Sequence, residues 1–175
     1  MEHNENRQNN VQRLFNDTST SSTSYLSQAK DFYHNKNYKK CLLYLSLYIK
    51  LHPLSFDALF LKSKTYAQMY QFNKSLVSLS KANKISKSLG KNENDQRIDI
   101  LYLKAQCYRG LNQNNQAIEV YDKINAIAPS ARAYLNKGVC LYSLNMKDLA
   151  IINYNQAIAL NPNYTEAYFN KGICL

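Results

Sequence analysis

The sequence predicts an all-α solenoid, in which short antiparallel helix pairs stack side by side and share one apolar seam. Three observations carry that expectation. Small and aromatic residues recur at a spacing of roughly 34 positions. Proline closes three of the resulting units, at Pro53, Pro129 and Pro162. Only four glycines and three prolines punctuate 175 residues that are 45% hydrophobic, and no apolar run is long enough to span a bilayer.

The pattern is clearest from Ala131. Counting that residue as one, Tyr134, Gly138, Leu141, Ala150, Tyr154, Ala157 and Pro162 occupy offsets 4, 8, 11, 20, 24, 27 and 32. Gly138 and Ala157 are small where two helices must approach closely, and the larger apolar residues fill the surrounding space. Asn161-Pro162 ends the second helix, because proline lacks a donor and biases its predecessor out of the helical region. Thr165 then restarts the pattern.

Taken in order, residues 1–21 are polar and carry too little apolar surface to offset chain entropy, so a disordered tail is expected there. The first unit, 22–55, places Ala29, Phe32 and Cys41 at the offsets of Gly138, Leu141 and Ala150, and ends at His52-Pro53. The second, 56–97, aligns Leu59, Ser63, Tyr66, Ser75, Leu79 and Ala82. Lys87 stands where proline is expected. Its second helix is therefore free to run on a turn, and 88–96 reads as an insertion with a glycine stop and a polar loop. The third unit, 98–130, carries Leu101, Ala105, Tyr108, Ala117, Tyr121, Ile124 and Pro129; the fourth is 131–164. Residues 165–175 supply Tyr168 and Gly172, the beginning of a further half-unit.

This layout resembles the tetratricopeptide repeat over residues 22–175, with Sel1-like and half-a-TPR repeats as neighbouring classes. It departs at offset 7, where Gln28, Lys62, Lys104 and Lys137 replace the usual leucine. The resemblance implies a right-handed superhelix whose first helices line a concave groove through offsets 2, 5, 6, 9, 12 and 13. Carried over, the peptide-binding residues are Lys30 and Tyr33, Phe60 and Lys64, Tyr102 and Arg109, Arg132, Asn136 and Tyr142, then Phe169 and Asn170. Cations pair with carboxylates, asparagine bonds an extended backbone, and aromatics supply anchoring area. The competing reading makes several of them lateral packing residues. The family's clamp for chaperone C-terminal carboxylates is not reproduced: its positions hold Leu26, Leu61, Asp99 and Leu103 in the first register.

The net charge of +10 is concentrated: residues 22–97 hold thirteen Lys and Arg against four Asp and Glu, whereas 98–175 hold seven against five. That field favours an acidic peptide, anionic lipid or nucleic acid. A solvated lysine face is the plainer alternative. RNA binding through lysines interleaved with Tyr33, Tyr38, Tyr44 and Tyr48 is the weaker reading, since those tyrosines recur at packing offsets. Cys107, Cys140 and Cys174 share offset 10 and Cys41 falls at offset 20, with no CxxC spacing, so all four read as small buried residues in a reducing compartment. His3, His34 and His52 form no triad or metal spacing, and no phosphate loop is present. The expectation is a cytoplasmic, non-catalytic scaffold with no cofactor and a protein or peptide partner. The alternatives are a targeting module of a longer enzyme or a chaperone-associated protein. Further repeats or a capping chain would complete the half-unit that starts at Thr165.

Overall fold

The computed structural model describes residues 24–90 and 94–175, and among them every regular element is a helix. The expected tail, 1–21, lies outside the described residues. The helices are α1 (24–34 in its described part), α2 (Tyr38–Leu51), α3 (Phe56–Gln68), α4 (Phe72–Ser88), α5 (Asn94–Gly110), α6 (Asn114–Ile127), α7 (Ala131–Ser143), α8 (Lys147–Leu160) and α9 (Thr165–Cys174). Each packs on the next. In addition α3 touches α5 and α7 touches α9, so first helices form one layer and second helices the other.

One cap geometry builds every hairpin. Lys36, Tyr70, Asn112 and Asn145, all at offset 15, have φ of 57°, 57°, 57° and 61°. The following amide reaches back to the third-last helical carbonyl, as in Asn37 N–H to Phe32 O and Met146 N–H to Leu141 O. The positive-φ residue bonds one position later, as in Lys36 N–H to Tyr33 O and Asn145 N–H to Tyr142 O. These paired bonds satisfy carbonyls that the helix end leaves open. Asparagine tolerates the left-handed conformation better than Lys36 or Tyr70 does.

Entry to the next unit uses side-chain caps: Ser55 Oγ accepts from Ala58 N–H and Ser130 Oγ from Ala133 N–H. Helices α2, α6 and α8 each have 14 residues and end beside proline. α4, which lacks that proline, has 17. Gly90 stops the chain beyond it with φ of +66°. The loop read at 88–96 is shorter than expected: Ser88 still belongs to α4, and Asn94 to Gln96 already belong to α5. No proline interrupts either side, Asp95 favours the first turn of α5, and Ser86 Oγ bonds Gln96 Oε1 at 2.7 Å across the junction.

The core is a chain of clusters, each uniting a hairpin with the first helix of the next. Ala29, Cys41 and Leu45 meet Ala58. Ala67 and Leu79 meet Ile100, Leu103 and Cys107. Ala105, Ala117, Val120, Tyr121 and Ile124 meet Ala133 and Cys140, while Leu135, Ala150, Tyr154 and Ala157 meet Ala167 and Cys174. Each fully buried leucine, isoleucine or tyrosine contributes on the order of 2 kcal/mol. All four cysteines are free and buried.

At offset 8 the helices of α7/α8 come close enough to exclude a side chain. A Cβ on Gly138 would stand 2.4 Å from Tyr154 Cε1 and 2.8 Å from its Cδ1. In α3/α4 the same place holds Ser63, whose hydroxyl donates to the Ser75 carbonyl at 2.9 Å while Ser75 donates to the Ser63 carbonyl at 2.8 Å. The Cys107 thiol adds a bond to Ser75 Oγ at 3.2 Å.

Candidate functional site

The layer of first helices carries all eleven residues that the repeat register assigns to the groove. The structure gathers them unevenly. Lys30, Tyr33, Phe60 and Lys64 line a cleft of about 230 Å³ between α1 and α3, together with His34, Asp57 and Leu61. Lys64 Nζ lies 5.8 Å from the Tyr33 ring centre and 5.5 Å from that of Phe60, and Phe56 stacks on Phe60 with ring centres 5.4 Å apart. Two ring faces thus hold the ammonium of Lys64 in place. Burial, with Tyr38 nearby, raises the Tyr33 phenol above its ordinary pKa, against the pull of its hydrogen bond with Gln68. The cleft offers a cation and apolar ring surface, with Asp57 limiting its appetite for anions.

Between α5 and α7 the expected groove residues tie one repeat to the next. The Arg132 guanidinium carbon lies 4.4 Å from the Tyr102 ring centre, and the Tyr102 hydroxyl pairs with Ser130 Oγ at 2.7 Å, on the capping residue of α7. Arg109 donates to Asn136 Oδ1, and Asn136 Nδ2 donates to the Arg132 carbonyl at 2.8 Å. Arg109 also bonds the phenol of Tyr121, whose pKa burial pushes up and the guanidinium pulls back. Lateral packing and groove display are therefore combined in the same side chains. Tyr142 and Phe169 are exposed on α7 and α9, and the Asn170 carbonyl accepts from the Cys174 thiol; neither cluster includes these three.

A larger recess of about 670 Å³ opens where the C-terminal ends of α3, α5 and α7 converge. Arg109 is its one residue from the assigned set. The others include Gln68, Gln106, Val139 and Ser143, with Tyr70 and Asn112 from the turns and Asn114 from the start of α6. Sequence reasoning did not name these residues, although Gln106 and Val139 are at offset 9 and Gln68 and Ser143 at offset 13. The signal was the register itself; charge and aromaticity drew attention to their neighbours. Amides and a hydroxyl around one guanidinium can bond both donors and acceptors of an extended backbone.

Among the described residues no three His, Cys, Asp or Glu side chains gather where they could hold a metal ion. Nor is any described helix long and apolar enough to cross a membrane.

The hairpin caps, the two layers and the linked clusters define an all-α right-handed solenoid of antiparallel helix pairs. Residues 98–130 and 131–164 each match the tetratricopeptide repeat family, so the chain contains tetratricopeptide repeats. Solved structures with the same fold include MamA from Desulfovibrio magneticus RS-1, with a TM-score of 0.76 and 18% identity over 87% of this chain and 82% of that one. YrrB, described as a TPR protein with an unusual peptide-binding site, gives 0.70 and 16% over 93% and 80%. The Cut9-Hcn1 hetero-tetramer of the APC/C gives 0.73 and 16% over 86% of this chain and 29% of that one. Among curated protein sequences none matches the chain.

Proposed function

We propose that the protein is a non-catalytic interaction scaffold that holds an extended segment of a partner protein along its layer of first helices. The observation that carries this reading is the recess shared by α3, α5 and α7, where Gln68, Gln106, Asn112, Asn114 and Arg109 surround a volume large enough for several side chains. The ring-flanked Lys64 in the adjoining cleft adds a preference for segments with a carboxylate beside an apolar anchor. YrrB, which shares the fold at low identity, is described as having a peptide-binding site, and that supports peptide binding by a scaffold of this kind. Four free, buried thiols fit a reducing intracellular compartment.

An array of random peptides graded in charge, read by fluorescence polarisation, tests the proposal. Acidic peptides with an aromatic or leucine residue are expected to bind best. Lys64→Glu and Gln106→Glu should each weaken them about tenfold, an effect of roughly 1.4 kcal/mol. Undiminished affinity in both variants would move the site off this layer.

A further inference from the structure

The charge that the groove leaves unexplained sits on the opposite layer. α2 carries Lys39, Lys40 and Lys50 without any acidic residue, and α4 carries Lys74, Lys81, Lys84 and Lys87, again without one. By contrast α6 mixes Glu119, Asp122 and Lys123, and α8 pairs Lys147 with Asp148. Both basic helices are second helices, so they belong to the same outer layer. Among the described residues the single salt bridge, Lys137 to Asp122, lies elsewhere, so none of the seven lysines is neutralised by an ion pair.

Aliphatic side chains share the same exposed strips. On α2, Lys39, Leu43, Leu47 and Lys50 lie within one helical face, and Leu43 is 57% exposed. On α4, Val77 is 59% exposed between Lys74 and Lys81, with Lys84 following on the same face. Leu54 and Leu89 follow the ends of the two helices and are 71% and 54% exposed. Crowding is evident one layer in, where burial and then Lys81 push the Lys62 ammonium below its ordinary pKa.

We infer that the outer face of α2 and α4 docks on an anionic membrane surface, its lysines at the headgroups and Leu43, Val77 and Leu54 at the acyl boundary. Lysine interleaved with exposed aliphatics is the composition that a lipid interface rewards twice, through charge and through apolar burial. Single-stranded nucleic acid would need exposed rings to stack on, but Tyr44 and Tyr48 of α2 pack against the core cluster of the first hairpin. Neither helix contains arginine. The face is separate from the peptide groove, so a docked protein would still present its recess to a partner.

Vesicle co-sedimentation of the full chain tests this, with phosphatidylcholine–phosphatidylserine vesicles against pure phosphatidylcholine and with single-stranded RNA as competitor. Binding is expected with the phosphatidylserine vesicles alone, falling as salt rises. Lys50→Gln/Lys81→Gln/Lys84→Gln should weaken it on the order of 100-fold. Leu43→Ser/Val77→Ser should weaken it about tenfold. All five positions are exposed, and unchanged circular dichroism melting would show that both variants fold. The inference is overturned by absence of sedimentation, by equal binding to both vesicle types, by RNA binding without vesicle binding, or by wild-type affinity in the Leu43→Ser/Val77→Ser protein.

Discussion

The hairpins α3/α4 and α7/α8 have the same backbone plan and fill its tightest point with different chemistry. In α7/α8 the contact is apolar: Gly138 leaves room for the ring of Tyr154, Ala150 lies nearby in the same cluster, and Cys140 is buried. In α3/α4 it is polar: Ser63 and Ser75 exchange hydrogen bonds with each other's carbonyls, and Cys107 joins them. Position 24 changes with position 8, being Tyr154 where the partner is Gly138 and Leu79 where it is Ser63. The close crossing therefore requires small size at offset 8, while polarity is optional as long as every hydroxyl finds an acceptor.

The largest effect should come from filling the apolar crossing. Gly138→Leu drives a side chain into a ring that is only 1% exposed, and a loss of about 3 kcal/mol is expected in urea denaturation. An unchanged midpoint would mean that α7 and α8 do not cross there.

Alkaline pH offers the next separation. Burial pushes the Cys140 thiol from 9.0 up to about 11, and no hydrogen bond opposes it; for Cys107 burial acts the same way but the Ser75 hydroxyl pulls back. A thiol whose folded pKa is raised contributes stability that is intact below pH 9 and is lost as pH climbs towards 11, because the unfolded chain ionises first. Two units correspond to roughly 2 to 3 kcal/mol. Cys140→Ala should remove most of that thiol's share of the alkaline loss when stability is compared at pH 8 and pH 11; the same slope in wild type and variant would contradict it.

Ser75→Ala tests the polar crossing and should cost about 1 to 2 kcal/mol, since the Cys107 thiol and the Ser63 carbonyl each lose a buried partner. It should also slow thiol labelling of Cys107 at moderately alkaline pH, as burial then acts unopposed. Faster labelling together with unchanged stability would count against the network.

The fold was legible because a solenoid repeats its constraints: Ala29, Ser63, Ala105 and Gly138 stand at one offset, and proline marks three of the second-helix ends. The junction near Gly90 was harder. Where Lys87 replaces proline, the extent of α4 and α5 depends on first-turn charge and on the Ser86–Gln96 bond, which involve residues ten apart and leave no periodic trace. The candidate site was readable as a register but not as a shape. Arg109, Arg132 and Tyr102 were assigned to the groove by offset, yet their bonds to Asn136, Tyr121 and Ser130 depend on the angle between successive hairpins. The amide-lined recess arises from that same angle.

The smallest effect makes the sharpest comparison, because it uses one substitution at one offset in two places. Gly172 is the counterpart of Gly138 on α9, and a Cβ there would meet nothing within 4 Å. Glycine inside a helix costs roughly 0.5 to 1 kcal/mol relative to alanine, so Gly172→Ala should raise stability by up to that amount. Gly138→Ala should lower it, because the added methyl cannot coexist with the present position of Tyr154. Thermal melts of the two variants side by side should shift in opposite directions. If Gly172→Ala also melts earlier, a packed helix must cover α9 as α8 covers α7, and the apolar crossing recurs once more in the array.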